Sequence, residues 1–222
     1  MFMWTTPHSG RASRLLVFCA AVFGVSCGHA AADDGMRRAS AAEFNDMKAR
    51  AAVVFKDRDD FPDGPIAALK PEKTLYWSAA QGGHLLALVT VRFKGVANSY
   101  CRLVTLDSEK AAPVLVDLPE NANSDACRAF HDVHYLDING DGKLDIVASM
   151  NIKANSFDGY VDQPVVYLSN ADKQGGYCYS ATASRNLKPE QMVSADKVKQ
   201  ALEQERKRLG VAQFDCAVTG AP

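Results

Sequence analysis

Between residues 74 and 183 the chain holds eight short segments of strand character, and no helix-length segment separates any two of them. Strands joined this closely pair antiparallel, because a parallel partner needs a crossover of about a dozen residues. The segments are Thr74–Ala79, His84–Phe93, Tyr100–Asp107, Pro113–Leu118, Arg128–Ile138, Leu144–Ile152, Pro164–Ser169 and Tyr177–Ala183. Gln81-Gly82-Gly83 is a hairpin turn between the first two, and residues 119–126 are polar and turn-rich. The groups 74–118 and 128–183 could be degenerate copies of one four-stranded unit. Trp77, Tyr76, Tyr100, Tyr135 and Tyr167 lie on these strands, where aromatics serve a core or a ligand face.

Helices are expected on either side of the strands. Ser40 and Glu43 form a capping box, and Phe44, Met47, Ala51, Val54 and Phe55 follow at helical spacing, which predicts an amphipathic helix over 40–55. Residues 56–73 carry an Asp-Arg-Asp-Asp run, three prolines and a glycine, and read as a loop. Ser194 is placed to cap a helix running to Leu209, with Gly210 at its stop. Val198, Ala201, Leu202 and Leu209 form its apolar stripe, and Glu203 and Lys207 an i,i+4 pair on its wet face.

The N-terminus reads as an export signal. Arg11 and Arg14 precede the apolar run Leu15–Val25, and Gly28-His29-Ala30-Ala31-Ala32 supplies small residues for cleavage. The run is too short for a bilayer span of about 20 residues, and no later segment is long and apolar enough. A lipoprotein signal ending at Cys27 is disfavoured by Gly24, which stands where an aliphatic residue belongs. Residues 1–32 are therefore read as a signal peptide, and 33–222 as one mature periplasmic or secreted domain without a membrane span. With 25 basic against 26 acidic residues, no basic excess points to nucleic acid. After residue 32 four cysteines remain, Cys101, Cys127, Cys178 and Cys216. An even count in an oxidising compartment implies two disulfides. Spacing alone leaves three connectivities open; the pairing we expect joins chain neighbours, Cys101–Cys127 and Cys178–Cys216, and ties down the C-terminal tail.

One motif carries chemistry. In Asp137-Ile-Asn-Gly-Asp-Gly-Lys-Leu-Asp145, oxygen side chains stand at positions 1, 3, 5 and 9, with glycine at 6. Asp137, Asn139, Asp141 and Asp145 offer side-chain oxygens, and Lys143 its backbone carbonyl. An all-oxygen set with three acids suits Ca²⁺, which takes about six to eight oxygen ligands. It is not an EF-hand: position 12 is Ala148 rather than a glutamate, and the flanks alternate with period two, so the loop joins strands. Asp158 and Asp162, in the long 153–163 loop, could lend a further oxygen.

The stretch VHYLDINGDGKLDIVASMN, with the later QPVVYLSNADKQGGYCYSA, resembles one FG-GAP/VCBS-type repeat over about residues 131–180. In that family a strand enters a calcium loop of this pattern, a strand leaves it, and a later strand ends in a polar turn before an aromatic. The resemblance implies calcium held by Asp137, Asn139, Asp141, the Lys143 carbonyl and Asp145. Family members often stack many repeats into a seven-bladed propeller; about 190 mature residues with one acidic loop do not make a full propeller.

The sequence thus leads us to expect an α+β domain: an antiparallel meander of about eight strands, an N-terminal and a C-terminal helix packed on it, and two disulfides. The function expected is Ca²⁺ binding in a non-enzymatic, exported interaction domain, its loop bracing a β-hairpin and its partner a protein or a carbohydrate. Two alternatives stand beside it. One is a periplasmic protective protein, either a toxin-immunity or an antibiotic-resistance factor. The other is a metal-assisted hydrolase using His131, Asp132 and His134. On a regular strand His131 and His134 face opposite sides, while Asp132 and His134 share a face and could pair.

Overall fold

The structure is a computed structural model that describes residues 36–56, 61–62, 64–79, 82–107, 113–116, 118, 126–154 and 159–216. The expected signal peptide, residues 1–32, lies outside the described residues.

The elements run β1 (Met36–Arg38), α1 (Ala41–Val54), β2 (Ile66–Ala79), β3 (Gly82–Phe93), β4 (Tyr100–Asp107), β5 (Val114–Val116), β6 (Cys127–Leu136), β7 (Asp145–Lys153), β8 (Tyr160–Ser169), β9 (Tyr177–Tyr179), α2 (Ala181–Asn186) and α3 (Ala195–Leu209). All strand pairs are antiparallel. The strands form the expected antiparallel meander, divided into two sheets ordered β1-β2-β3-β4-β5 and β6-β7-β8-β9. The fold class is α+β, with strands dominating.

Period-two alternation explains the split. On β3, Leu86 and Leu88 face the second sheet, while Leu85, Ala87, Val89, Val91 and Phe93 face a core shared with α1. On β7, Ile146, Ala148, Met150 and Ile152 face the first sheet, and Val147 faces α2 and α3. The central strands are apolar on both faces, so each sheet needs cover on both sides. The layers therefore run α1, first sheet, second sheet, then α2 and α3. The Cys101–Cys127 disulfide (Cα–Cα 5.6 Å) joins β4 to β6 across the inter-sheet core, beside the isolated Ser99–Cys127 bridge. The Cys178–Cys216 disulfide (Cα–Cα 5.5 Å) ties the C-terminal tail to β9. Both pairings are those expected.

Both capped helices form as read. Ser40 accepts from the Glu43 N–H at 3.3 Å, and the Glu43 carboxylate accepts from the Ser40 N–H at 2.8 Å. Ser194 caps α3, and Gly210 closes it with φ 68°. Three boundaries differ by more than two residues. β2 begins at Ile66, inside the expected 56–73 loop, because β3 is long enough to pair with all of it; register shifts at Ile66/Ala68 and Pro71/Lys73 absorb the misfit around Pro71. The strand expected to reach Ala183 stops at Tyr179, where Ser180 caps α2 by accepting from the Ala183 N–H. Of the expected 153–163 loop, Lys153 ends β7 and Tyr160–Gln163 belong to β8, with Asn151–Asp162, Ile152–Val161 and Lys153–Tyr160 in register.

At Gly175, between β8 and β9, the second sheet meets the first. Its φ is 81°, and an added Cβ would lie 2.5 Å from Thr105 Oγ1 and 2.9 Å from Val114 Cγ1. Gly175→Ala combines left-handed strain with a clash against β4 and β5 and should destabilise the domain by about 2 kcal/mol or more, read as a lowered Tm. A second outcome concerns acid. Hydrogen bonds from the Arg37 guanidinium (2.7 and 2.8 Å) and from the Ser40 N–H hold the Glu43 carboxyl down at about 2, from an ordinary 4.5. A depressed folded-state value gives stability that is present above 4.5 and lost as pH falls from 4.5 towards 2. Glu43→Gln should remove that part of the pH–Tm slope in this window and leave the neutral range little changed.

Candidate functional site

The acidic loop joins the end of β6 to the start of β7. Gly140 and Gly142 have φ of 73° and 78°, a left-handed backbone that lets the chain wind tightly around Asp137. Asp137 Oδ1 accepts from the Gly140 N–H (2.6 Å) and the Asp141 N–H (3.1 Å), and its Oδ2 from the Gly142 N–H (3.0 Å). Asp141 Oδ1 accepts from the Lys143 N–H at 2.9 Å, and Asn139 Oδ1 from the Phe214 N–H of the tail at 3.2 Å. Lys143 itself is exposed.

Asp145 opens β7 and is 1% exposed. Its two oxygens accept from the Ile138 N–H (2.9 Å) and the Ser169 N–H (2.8 Å), so it joins the loop to β8. Burial pushes its carboxyl up to about 6; the two backbone bonds oppose this, and the Asp141 and Asp137 charges add to it. Among the described residues, Asp137, Asp141 and Asp145 form no ion pair with a lysine, arginine or histidine. Nor do three acidic, histidine or cysteine side chains among the described residues gather as a ligating group. Asp137 is turned into the loop's own amides, and Asp145 towards β8.

Beside the loop lies a cleft of about 370 Å³. Asn139 and Asp141 meet Asn170, Asp172 and Asp215 there. Asn170 and Asp172 come from the turn after β8, and Asp215 from the tail that the Cys178–Cys216 disulfide draws back. These three residues were not legible as part of a site, because only tertiary contacts place them next to residues 139 and 141.

The histidine segment departs from a regular strand. His131 pairs with Ser149 and His134 with Val147, so β6 carries one extra residue, and Asp132 takes it up with φ 47°. The bulge puts both histidines on the face towards α2 and α3, and it breaks the expected Asp132–His134 pairing. Asp132 Oδ2 lies 2.7 Å from His131 Nδ1 instead, and His131 Nε2 lies 2.8 Å from Asp162 Oδ1. His134 Nε2 donates to the Met192 carbonyl at 2.7 Å. Of the trio read as a hydrolase centre, His131 and Asp132 are thus in contact, while His134 is engaged by the Met192 carbonyl. Asp162 also accepts from Asn151 Nδ2 at 2.7 Å. It stands six residues along β7 from the acidic loop, about 20 Å at strand rise, and does not lend an oxygen there. Asp158 lies outside the described residues.

Burial is the largest influence on His131 and acts downward, but the hydrogen bonds to Asp162 and Asp132 outweigh it and hold the ring above its ordinary 6.5. Of the strand aromatics, Tyr167 is fully buried between the sheets, and Tyr100 and Tyr135 are packed against cores; the side chains of Tyr76 and Trp77 lie outside the described residues.

Asp145→Ala should cost about 3 kcal/mol or more, because it leaves two backbone N–H groups at a buried position without an acceptor. Asp145→Asn keeps one acceptor and should cost less; parallel denaturant melts compare the two.

The chain matches no protein-family model, no curated protein and no solved structure.

Proposed function

We propose that the protein is an exported, non-enzymatic Ca²⁺-binding interaction domain. The loop 137–145 is the ion site, and the cleft beside it presents the hairpin to a protein or carbohydrate ligand. The observation that carries this reading is electrostatic: three carboxylates occupy one nine-residue loop, one of them is buried, and none forms an ion pair among the described residues, the loop's own lysine, Lys143, being exposed. The donor set fits a hard divalent cation. Every candidate ligand is an oxygen, and a carboxylate oxygen that accepts one N–H keeps a further lone pair. Asp137, Asn139, Asp141, the Lys143 carbonyl and Asp145 would hold the ion, which would offset the loop's excess of negative charge.

Two disulfides fit an oxidising extracellular or periplasmic location. Among the described residues no helix is long and apolar enough to cross a membrane. The FG-GAP/VCBS resemblance of residues 131–180 supports the same ion.

Thermal melts of the oxidised chain in excess EDTA, then across a Ca²⁺ titration, test the proposal. At 100 times its dissociation constant, bound Ca²⁺ should add about 2.7 kcal/mol. Asp141→Ala loses one exposed loop bond and should melt near the wild type in EDTA, yet show no rise with Ca²⁺. A wild type whose Tm ignores Ca²⁺ would overturn the proposal.

A further inference from the structure

His131 stands between two carboxylates. Its Nδ1 lies 2.7 Å from Asp132 Oδ2 and its Nε2 2.8 Å from Asp162 Oδ1. A carboxylate has no proton to give, and a neutral imidazole has one N–H and one bare lone pair. A neutral ring therefore satisfies one of these contacts and sets lone pair against lone pair in the other. An imidazolium satisfies both. Asp162 does not supply the missing proton, because the Asn151 and His131 hydrogen bonds hold its carboxyl below the usual range despite some burial.

The contacts span the sheet. His131 is on β6 and Asp162 on β8, so their bond reaches over β7, where Asn151 donates to the same Asp162 oxygen. The other carboxylate belongs to Asp132, the one described residue other than glycine with positive φ. Left-handed backbone at such a residue is strained and persists where its surroundings hold it. Here the ring holds it.

We propose that His131 is a proton-operated clamp: as an imidazolium it laces β6 to β8 across β7 and pins the Asp132 bulge, and on losing its Nε2 proton it keeps Asp132 and releases Asp162 to the cleft that Asp162 lines. That cleft, of about 320 Å³, is walled by β8, β9 and α2 and includes Gln163, Ser184 and Arg185. β6 contributes Asp132 and, on the face His131 shares, His134, whose Nε2 donates to the Met192 carbonyl; β8 contributes Asp162, while Arg128 is stacked over the Tyr160 ring at 5.3 Å. β7 contributes uncharged Ser149 and Asn151, and α2 contributes Arg185, the cation that shares the cleft with Asp162. The deprotonated ring has an alternative partner. Ser149, its register neighbour, has a buried hydroxyl with no hydrogen-bond partner among the described residues.

The stability linkage has a definite sign. A histidine raised above 6.5 in the fold contributes stability that is complete below 6.5 and is lost as pH rises through the folded-state value. Long-range ¹H–¹⁵N spectra of the full chain, recorded through the neutral range, report the ring directly. Both ring nitrogens should be protonated at the acidic end, with a midpoint above 6.5. The backbone amides of Asn151, Gln163 and Arg185 should shift with that same midpoint. Asp162→Asn, at a surface carboxylate, should lower the midpoint while the fold is kept, and His131→Gln should abolish the linked amide shifts. A ring that is neutral at pH 6.5, a midpoint that ignores Asp162→Asn, or amides that stay still as the wild-type ring titrates would each overturn the clamp. If His131→Gln does not fold, Asp162→Asn and the wild-type amide titration decide alone.

Discussion

The apolar surface between the two sheets is the constraint from which the other layers follow. Leu86, Leu88, Leu103, Ile146, Met150 and Tyr167 are buried there, and the strands that supply them carry a second apolar face. Burial at about 25 cal/mol per Å² rewards covering that second face as well. For the first sheet α1 does so, through Met47, Ala51 and Phe55; for the second, α2 and α3 do so, through Ala183, Val198 and Leu202. An aromatic group of Phe55, Phe61, Phe93 and Tyr100 closes the α1 side, with the Arg102 guanidinium over the Phe61 ring.

Both chemically distinctive features sit on the β6–β7 pair, and neither belongs to the inter-sheet core. The acidic loop is the turn of that hairpin, and the histidine clamp is its bulge. The packed core holds the strands in one register, so a loop rich in like charge and a residue with left-handed backbone are tolerated at their margins. Asp145 links the two worlds: its side chain is buried against β8 and its charge faces those of Asp137 and Asp141.

The reading of residues 131–134 shows what a single insertion does. On a regular strand Asp132 shares a face with His134; one extra residue breaks that pairing, leaves Asp132 as the bulge and joins His131 to Asp162, 31 positions away. Nothing in the local sequence marks the bulge, because it is set by how β6 must pair with β7 along its whole length. The cleft beside the acidic loop is similar. Asn170 lies in the polar turn of the FG-GAP/VCBS-type stretch and Asp215 in no motif, and they reach Asn139 through a strand end and a disulfide.

What the sequence by itself determined is local: strand alternation, the Ser40 and Ser194 caps, the Gly210 stop, and the spacing of oxygens from Asp137 to Asp145. These depend on the periodicity of the backbone and on neighbours a few residues away, so a short window carries them. Tertiary structure decided the division into two sheets, the start of β2 at Ile66, the end of β9 at Tyr179, and the partners of His131, His134 and Asp162. Each of those depends on which strand lies alongside which and in what register. That choice is made by the burial of whole sheet faces, which no short stretch of sequence contains.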